Sequence, residues 1–206
     1  MNILFEDEYM LAVVKPQGMP AQADKTGDPD LLSQLEEYAK QPIGLLHRLD
    51  RPVGGVMLFA KEKKAEAVLS KDLQENKLNK RYLTVLCGKL PAEEGTLENY
   101  LLKNTRTNLS EVVSKDRRGA KKAILHYTRI AEKETDMGWL TLAEIKLETG
   151  RHHQIRVQLS HMGCPIVGDS KYNPACGTIP GKTLCLCAYK LNFKHPRTKK
   201  EMSFRV

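Results

Sequence analysis

The 206-residue chain carries 33 Lys plus Arg against 25 Asp plus Glu, a formal charge of +8 with a pI near 9.2. Hydrophobic residues make up 41 % of it, which supplies a packed core and excludes a disordered polyelectrolyte. No stretch approaches the ~18 consecutive apolar residues that a membrane span needs, and the opening MNILFEDEYM places acids where a signal peptide carries Lys or Arg, so the expected setting is cytoplasmic, without membrane.

Taken in chain order, β-branched or alternating apolar positions predict strands at Met10 to Val14, Gly55 to Ala60, Tyr82 to Cys87, Lys122 to Ile130, Trp139 to Leu147 and Thr183 to Phe193. Helices are predicted over Asp30 to Lys40, after the Pro29 turn, and over Glu62 to Asn76, where Ala65, Val68, Leu69 and Leu73 recur at helical spacing. A third runs from about His152 to Met162 and stops at Gly163, while Pro174 to Gly181 reads as a surface loop. Strands outnumber helices and do not alternate with them. The expected class is therefore α+β, a mainly antiparallel mixed sheet with a few flanking helices, without repeats or a domain-length linker. The five cysteines (Cys87, Cys164, Cys176, Cys185, Cys187) lack framework or zinc-site spacing and read as free thiols.

The positive charge is uneven. Residues 1–45 hold eight acids and three bases, whereas residues 46–206 hold 30 bases and 17 acids. Lys61 to Lys89, Lys115 to Arg129 and Lys194 to Val206 concentrate the excess. A polyanionic partner accounts for this; Lys-rich faces that only keep a protein soluble account for the same counts.

Two clusters carry candidate chemistry. In HRLDRPVGG, residues 47 to 55, Pro52 removes a backbone donor and Gly54 with Gly55 permit a sharp turn that presents Asp50. A carboxylate between Arg48 and Arg51 stays ionised, which suits a nucleophile or base; an Asp that simply forms the turn fits the same spacing. In Glu148 to Gln158, Arg151 and Arg156 bracket His152 and His153, and the start of the third helix adds partial positive charge for an anion, which makes Arg151, His153 and Gln154 candidate contacts. Histidines one residue apart point in different directions on a helix and do not make a metal site, so no metal is expected.

HRLDRPVGG at 47 to 55, KRYLTVLCG at 80 to 88 and TGRHHQIRVQLSHMGCPIVGDSKY at 149 to 172, in this order and spacing, resemble the RluA-type RNA pseudouridine synthases. Glu6, Asp7, Val14, Lys15, Pro16 and Gly18 near the start, and Ala188, Tyr189, His195 and Pro196 near the end, extend the resemblance over nearly the whole chain. The chain departs from the family where Val53, Gly54 and Gly55 replace a frequent Thr-Ser-Gly, and no separate RNA-binding module is expected ahead of residue 1.

The resemblance implies the pseudouridine synthase catalytic fold over 1–206 as one domain with no appended RNA-binding domain, acting as a monomer without cofactor. The implied reaction breaks the N1 to C1′ bond of a uridine within tRNA or rRNA and remakes it through C5, after the nucleotide is flipped out of its stack. Asp50 would be the nucleophile or the base, Arg156 its ion-pair partner, and Tyr82 the ring that stacks on the base; an aromatic filling a strand face explains Tyr82 equally from spacing alone. Arg48 would fill the gap left by the flipped base. RNA contacts would come from Arg51, Lys15, Arg117, Arg118, Lys121 and Lys122, although a solvated strand-end lysine describes Lys15 as well. The alternative is a non-catalytic RNA-binding or ribosome-assembly protein, which explains the charge but does not call for Asp50, Tyr82 and Arg156 together. A metal-dependent phosphodiesterase on DNA or RNA would need clustered carboxylates that the two motifs lack.

Overall fold

The structure, a computed structural model, describes residues 1–136, 138–173 and 183–206; the loop expected at Pro174 to Gly181, and Cys176 with it, lies outside the described residues. The chain divides into two compact units, one formed by Met1–Lys80 with Cys187–Val206 and the other by Arg81–Leu186.

In the first unit, β1 (Asn2–Glu6) and β2 (Met10–Lys15) form an antiparallel hairpin, and β2 pairs antiparallel with β4 (Gly54–Ala60). α1 (Leu31–Ala39) and the short β3 (Gly44–Leu45) lie between β2 and β4 in sequence, and α2 (Lys63–Gln74) follows β4. α1 starts where it does because the Asp30 carboxylate accepts from the Ser33 amide at 3.0 Å. Both helices bury a stripe: Leu31 and Leu35 in α1, Ala65 and Leu69 in α2. Every residue of β4 is buried, and Val56 and Leu58 join Met10, Leu69 and Phe193 in the core of this unit. After the second unit the chain returns as β10 (Leu186–Lys194), which pairs parallel with β4, and ends in β11 (Glu201–Arg205), antiparallel to β10.

In the second unit, β5 (Asn79–Cys87), β6 (Glu94–Asn104), β7 (Leu109–Val113), β8 (Lys121–Thr135) and β9 (Gly138–Leu147) form antiparallel pairs in the order β5-β9-β8-β6-β7. Since directly opposed residues share a face, Tyr82, Ile145, Tyr127, Ala123 and Leu101 line one side. α3 (Gln154–His161) covers that side, with Val157 against Leu101 and Ala123. The sheet is thus mixed and mostly antiparallel, with three helices, as the sequence predicts.

β1, β6, β7 and β11 are strands that the hydrophobic pattern does not announce, because they are exposed on one or both faces; β6 buries only Leu101. α3 begins at Gln154 and not at His152, because His153 takes a left-handed conformation (φ 54°). The described cysteines, Cys87, Cys164, Cys185 and Cys187, are free thiols.

Gly55 has φ +125°, and a Cβ there would lie 2.3 Å from the carbonyl oxygen of Ala188 on β10. The Gly55→Ala protein is expected to lose about 3 kcal/mol of stability from strain and overpacking. Urea unfolding measures this, and an unchanged midpoint would show that the close β4–β10 approach does not require glycine.

Candidate active site

The loop from His47 to Val53 is tied down on both sides of Asp50. Upstream, the His47 ring accepts the Leu58 amide at Nε2 (3.3 Å), and burial with the Lys80 charge pushes its pKa down to about 3, so the ring is neutral. Downstream, the Val53 amide closes a turn on the Asp50 carbonyl at 2.9 Å, and the Arg51 carbonyl accepts from the Gly18 amide at 2.8 Å. Gly18 reaches it with φ +83°. Leu49 and Val53 are buried, Asp50 is partly exposed and Arg48 is exposed. The loop thus projects a carboxylate from a backbone fixed at both ends.

Lys15 completes that fixation. Its side chain is fully buried, and its ammonium donates to the carbonyls of Pro16 (3.0 Å), Met19 (2.7 Å) and Arg51 (3.2 Å). Burial lowers its pKa to about 8, against the attraction of Asp50. Lys15, expected among the RNA contacts, is thus placed in the interior, with three carbonyls on its three donors and its charge attracting Asp50. Arg51, expected beside the carboxylate and among the RNA contacts, turns its guanidinium to Asp24 (3.0 Å), Asp28 (2.5 Å) and the Thr26 hydroxyl (2.5 Å). Hydrogen bonds from Thr26, then Arg51, hold Asp24 down at about 2. Arg48 remains at the surface beside Asp50, as expected.

In the second unit, Tyr82 is 7 % exposed and sits on the sheet face that α3 covers. Arg156 projects from α3 and forks onto Asp169, Nε to Oδ2 at 2.8 Å and Nη2 to Oδ1 at 2.6 Å, with both side chains buried. Its guanidinium carbon lies 5.2 Å from the centroid of the Tyr172 ring. Asp169 lies within the motif at 149 to 172, and its only signal in the sequence is an acid following the apolar run Ile166, Val167, Gly168.

His153 and Gln154, expected among the RNA contacts, are both buried and brace the start of α3. His153 is buried, stacks on His152 with ring centroids 3.8 Å apart and shares a 2.8 Å hydrogen bond at Nδ1 with the Tyr172 hydroxyl. Burial, then the Arg156 charge, pushes its pKa down to about 2. Gln154 accepts from Thr149 Oγ1 and the Arg151 amide and donates to the Ile124 carbonyl. Arg151 stays exposed and donates from Nε to the Lys122 carbonyl.

Arg117, Arg118, Lys121 and Lys122 are exposed, Lys122 pairing with Glu98 at 2.8 Å. The connection holding the two arginines crosses β6 at Leu102, 3.3 Å from where a Cβ of Gly119 would stand. Leu102 faces away from α3, so this connection lies on the sheet face opposite Tyr82. No group of three or more His, Cys, Asp or Glu is placed to hold a metal among the described residues, and none of the described helices is long and apolar enough to cross a membrane.

Residues 9–161 match the family model described as RNA pseudouridylate synthase. The chain belongs to that family. Among its relatives are an uncharacterized RNA pseudouridine synthase of Bacillus subtilis, 33 % identical over 96 % of this chain and 65 % of the relative, and a tRNA pseudouridine synthase C of Haemophilus ducreyi, 30 % identical over 98 % of this chain and 89 % of the relative. A ribosomal large subunit pseudouridine synthase D of Xanthomonas campestris is 35 % identical over 94 % of this chain and 58 % of its own length. The chain thus spans about two thirds of the B. subtilis relative and less of the X. campestris one. The human RNA pseudouridylate synthase domain containing 1 shares the fold, with a TM-score of 0.82 at 22 % identity over 100 % of this chain and 82 % of that one.

Replacing Lys15 by Met takes the ammonium from three carbonyls and leaves the Arg51 carbonyl with the Gly18 amide alone. The expected loss is about 2 to 4 kcal/mol, with faster amide exchange at Gly18, whose acceptor Lys15 holds. Denaturant unfolding and hydrogen exchange measure both, and wild-type values for both would remove Lys15 from its bracing role.

Proposed function

We propose that this chain is an RNA pseudouridine synthase that isomerises a uridine in tRNA or rRNA, with Asp50 as the reacting carboxylate. The observation that carries this reading is the HRLD loop, pinned at His47 and Arg51 so that Asp50 is projected on a rigid backbone, within a chain of this family. Relatives named for tRNA and for the large ribosomal subunit supply the two substrate classes.

The N1 to C1′ bond breaks while Asp50 either attacks C1′ or removes a sugar proton to leave a glycal. The freed uracil turns and C5 bonds to C1′ as the Asp50–C1′ bond breaks or, from the glycal, as Asp50 returns the proton to the sugar; the C5 hydrogen then leaves as a proton while N1 takes one up. No electrons enter or leave, so the reaction calls for no cofactor. A uridine inside folded RNA must first be flipped out, at a cost of a few kcal/mol. Arg48, exposed two residues from Asp50, is suited to the vacated stack; by resemblance Tyr82 stacks on the base, and Arg156 serves Asp50. The two units act as one catalytic domain, in a cytoplasmic monomer that binds RNA and neither DNA nor membrane.

Asp50→Asn is expected to keep fold and RNA affinity and to reduce turnover at least a hundredfold, because an amide is neither nucleophile nor base here. The assay is tritium release from C5-labelled total RNA of cells that lack the protein, with pseudouridine mapping to locate the site. Turnover above about a tenth of wild type would remove Asp50 from the chemistry.

Neutralising Arg117, Arg118, Lys121 and Lys122 together tests how far RNA reaches around the sheet. If two to four of them hold phosphates, the slope of log affinity against log salt falls by roughly 1.5 to 3.5, while the rate on saturating RNA is unchanged. An unchanged slope would leave the phosphate grip to the basic segments at Lys61 to Lys80 or Lys199 and Lys200.

A further inference from the structure

Arg156 is buried, and its most fully defined partner lies within its own unit. The Asp169 carboxylate takes Nε at 2.8 Å and Nη2 at 2.6 Å, a bidentate fork with side-chain exposures of 4 % and 0 %. A fork of this kind fixes the plane of the guanidinium as well as its position. The carboxylate is itself immobilised: Oδ1 also accepts the amides of Lys171 (3.0 Å) and Tyr172 (3.2 Å). The residue before it, Gly168 (φ +78°), packs so closely that a Cβ would stand 2.4 Å from the Thr183 carbonyl oxygen. Orientation thus passes from a tight backbone turn through Asp169 to the guanidinium. The fork uses two of the five N–H donors of Arg156, and the other three lie on its remaining edges.

We propose that Asp169 is a positioning residue for the isomerisation: it fixes the guanidinium of Arg156 in the one orientation in which Arg156 serves the reaction. This rests on the reading that Arg156 serves the reaction. Asp169 touches neither RNA nor the reacting atoms. Its removal misaims the guanidinium, and misplacement on the order of 1 Å costs about a hundredfold in rate.

The test compares Asp169→Asn, Arg156→Met and the double variant, using tritium release from C5-labelled total RNA at saturating enzyme, RNA affinity and thermal unfolding. Asp169→Asn is expected to lower the single-turnover rate 10- to 100-fold, leave affinity within threefold, and add no further rate loss once Arg156 is Met, because a residue that acts only through Arg156 has nothing left to act on. A purely structural role predicts losses that add in the double variant, or loss of affinity and stability with a normal rate, and either overturns the proposal. A normal Asp169→Asn rate beside an impaired Arg156→Met also overturns it while leaving the reading of Arg156 intact. A normal Arg156→Met rate removes that reading and the proposal with it. Should Asp169→Asn fail to fold, Asp169→Glu, which keeps the charge and displaces the fork by about one methylene, takes its place with the same expected rate loss. Failure of both to fold makes the pair structural and overturns the proposal.

Discussion

A lysine ammonium with no exposure to water is the constraint on which the Asp50 loop depends. Burying it costs several kcal/mol unless its hydrogen bonds and charge are answered. Lys15 answers them with the carbonyls of Pro16, Met19 and Arg51 and with the charge of Asp50. Because these carbonyls belong to two segments far apart in sequence, the ammonium joins the chain leaving β2 to the turn after Asp50. A hydrophobic side chain could fill the space but could not hold three carbonyls in a common direction. With a pKa of about 8 the amine still carries its proton at neutral pH, and it favours the ionised form of Asp50.

The second unit follows the same rule with different groups. Ser110, on β7, donates its amide to the Tyr172 hydroxyl oxygen and its own hydroxyl to the His152 carbonyl. Gln154 closes the preceding turn by reaching Thr149, Arg151 and Ile124. The polar run from Thr149 to Gln158 is therefore mostly internal wiring around Arg156. Satisfied buried networks of this kind rigidify what they surround, since each partner lost would strand another polar group in a low dielectric.

The sequence made the central strands legible, because β2 and β4 are buried along nearly their whole length and read as apolar runs, while β5 and β9 bury alternate residues. β6 and β11 carry little, having one face in water and few buried positions. β8 runs five residues past its expected end, since Ala131 to Thr135 are polar on average and exist as strand only through pairing with β9. Motif residues were legible as a set but not by role. Lys15, His153 and Gln154 read as contacts because polar groups in a motif suggest ligands, and burial, which made them braces, is a property of the fold. Asp7 and His195, at opposite ends of the chain, looked like two separate motif fragments; they meet at 2.7 Å and close a turn.

The acidic opening of the chain acquires a reason from the same geometry. Asp24 and Asp28 neutralise Arg51 at the edge of the Asp50 loop, which leaves Arg48 as the exposed cation of HRLDR. Were Arg51 also presented there, two guanidiniums would compete for the nearest phosphate and draw the backbone of the RNA, instead of a base, toward Asp50. Exposed ion pairs of this sort add little stability. With Asp50 as the proposed reacting carboxylate, their value lies in removing a phosphate ligand from the place where that proposal brings a nucleobase, while the exposed basic segments elsewhere on the chain remain available for a polyanion.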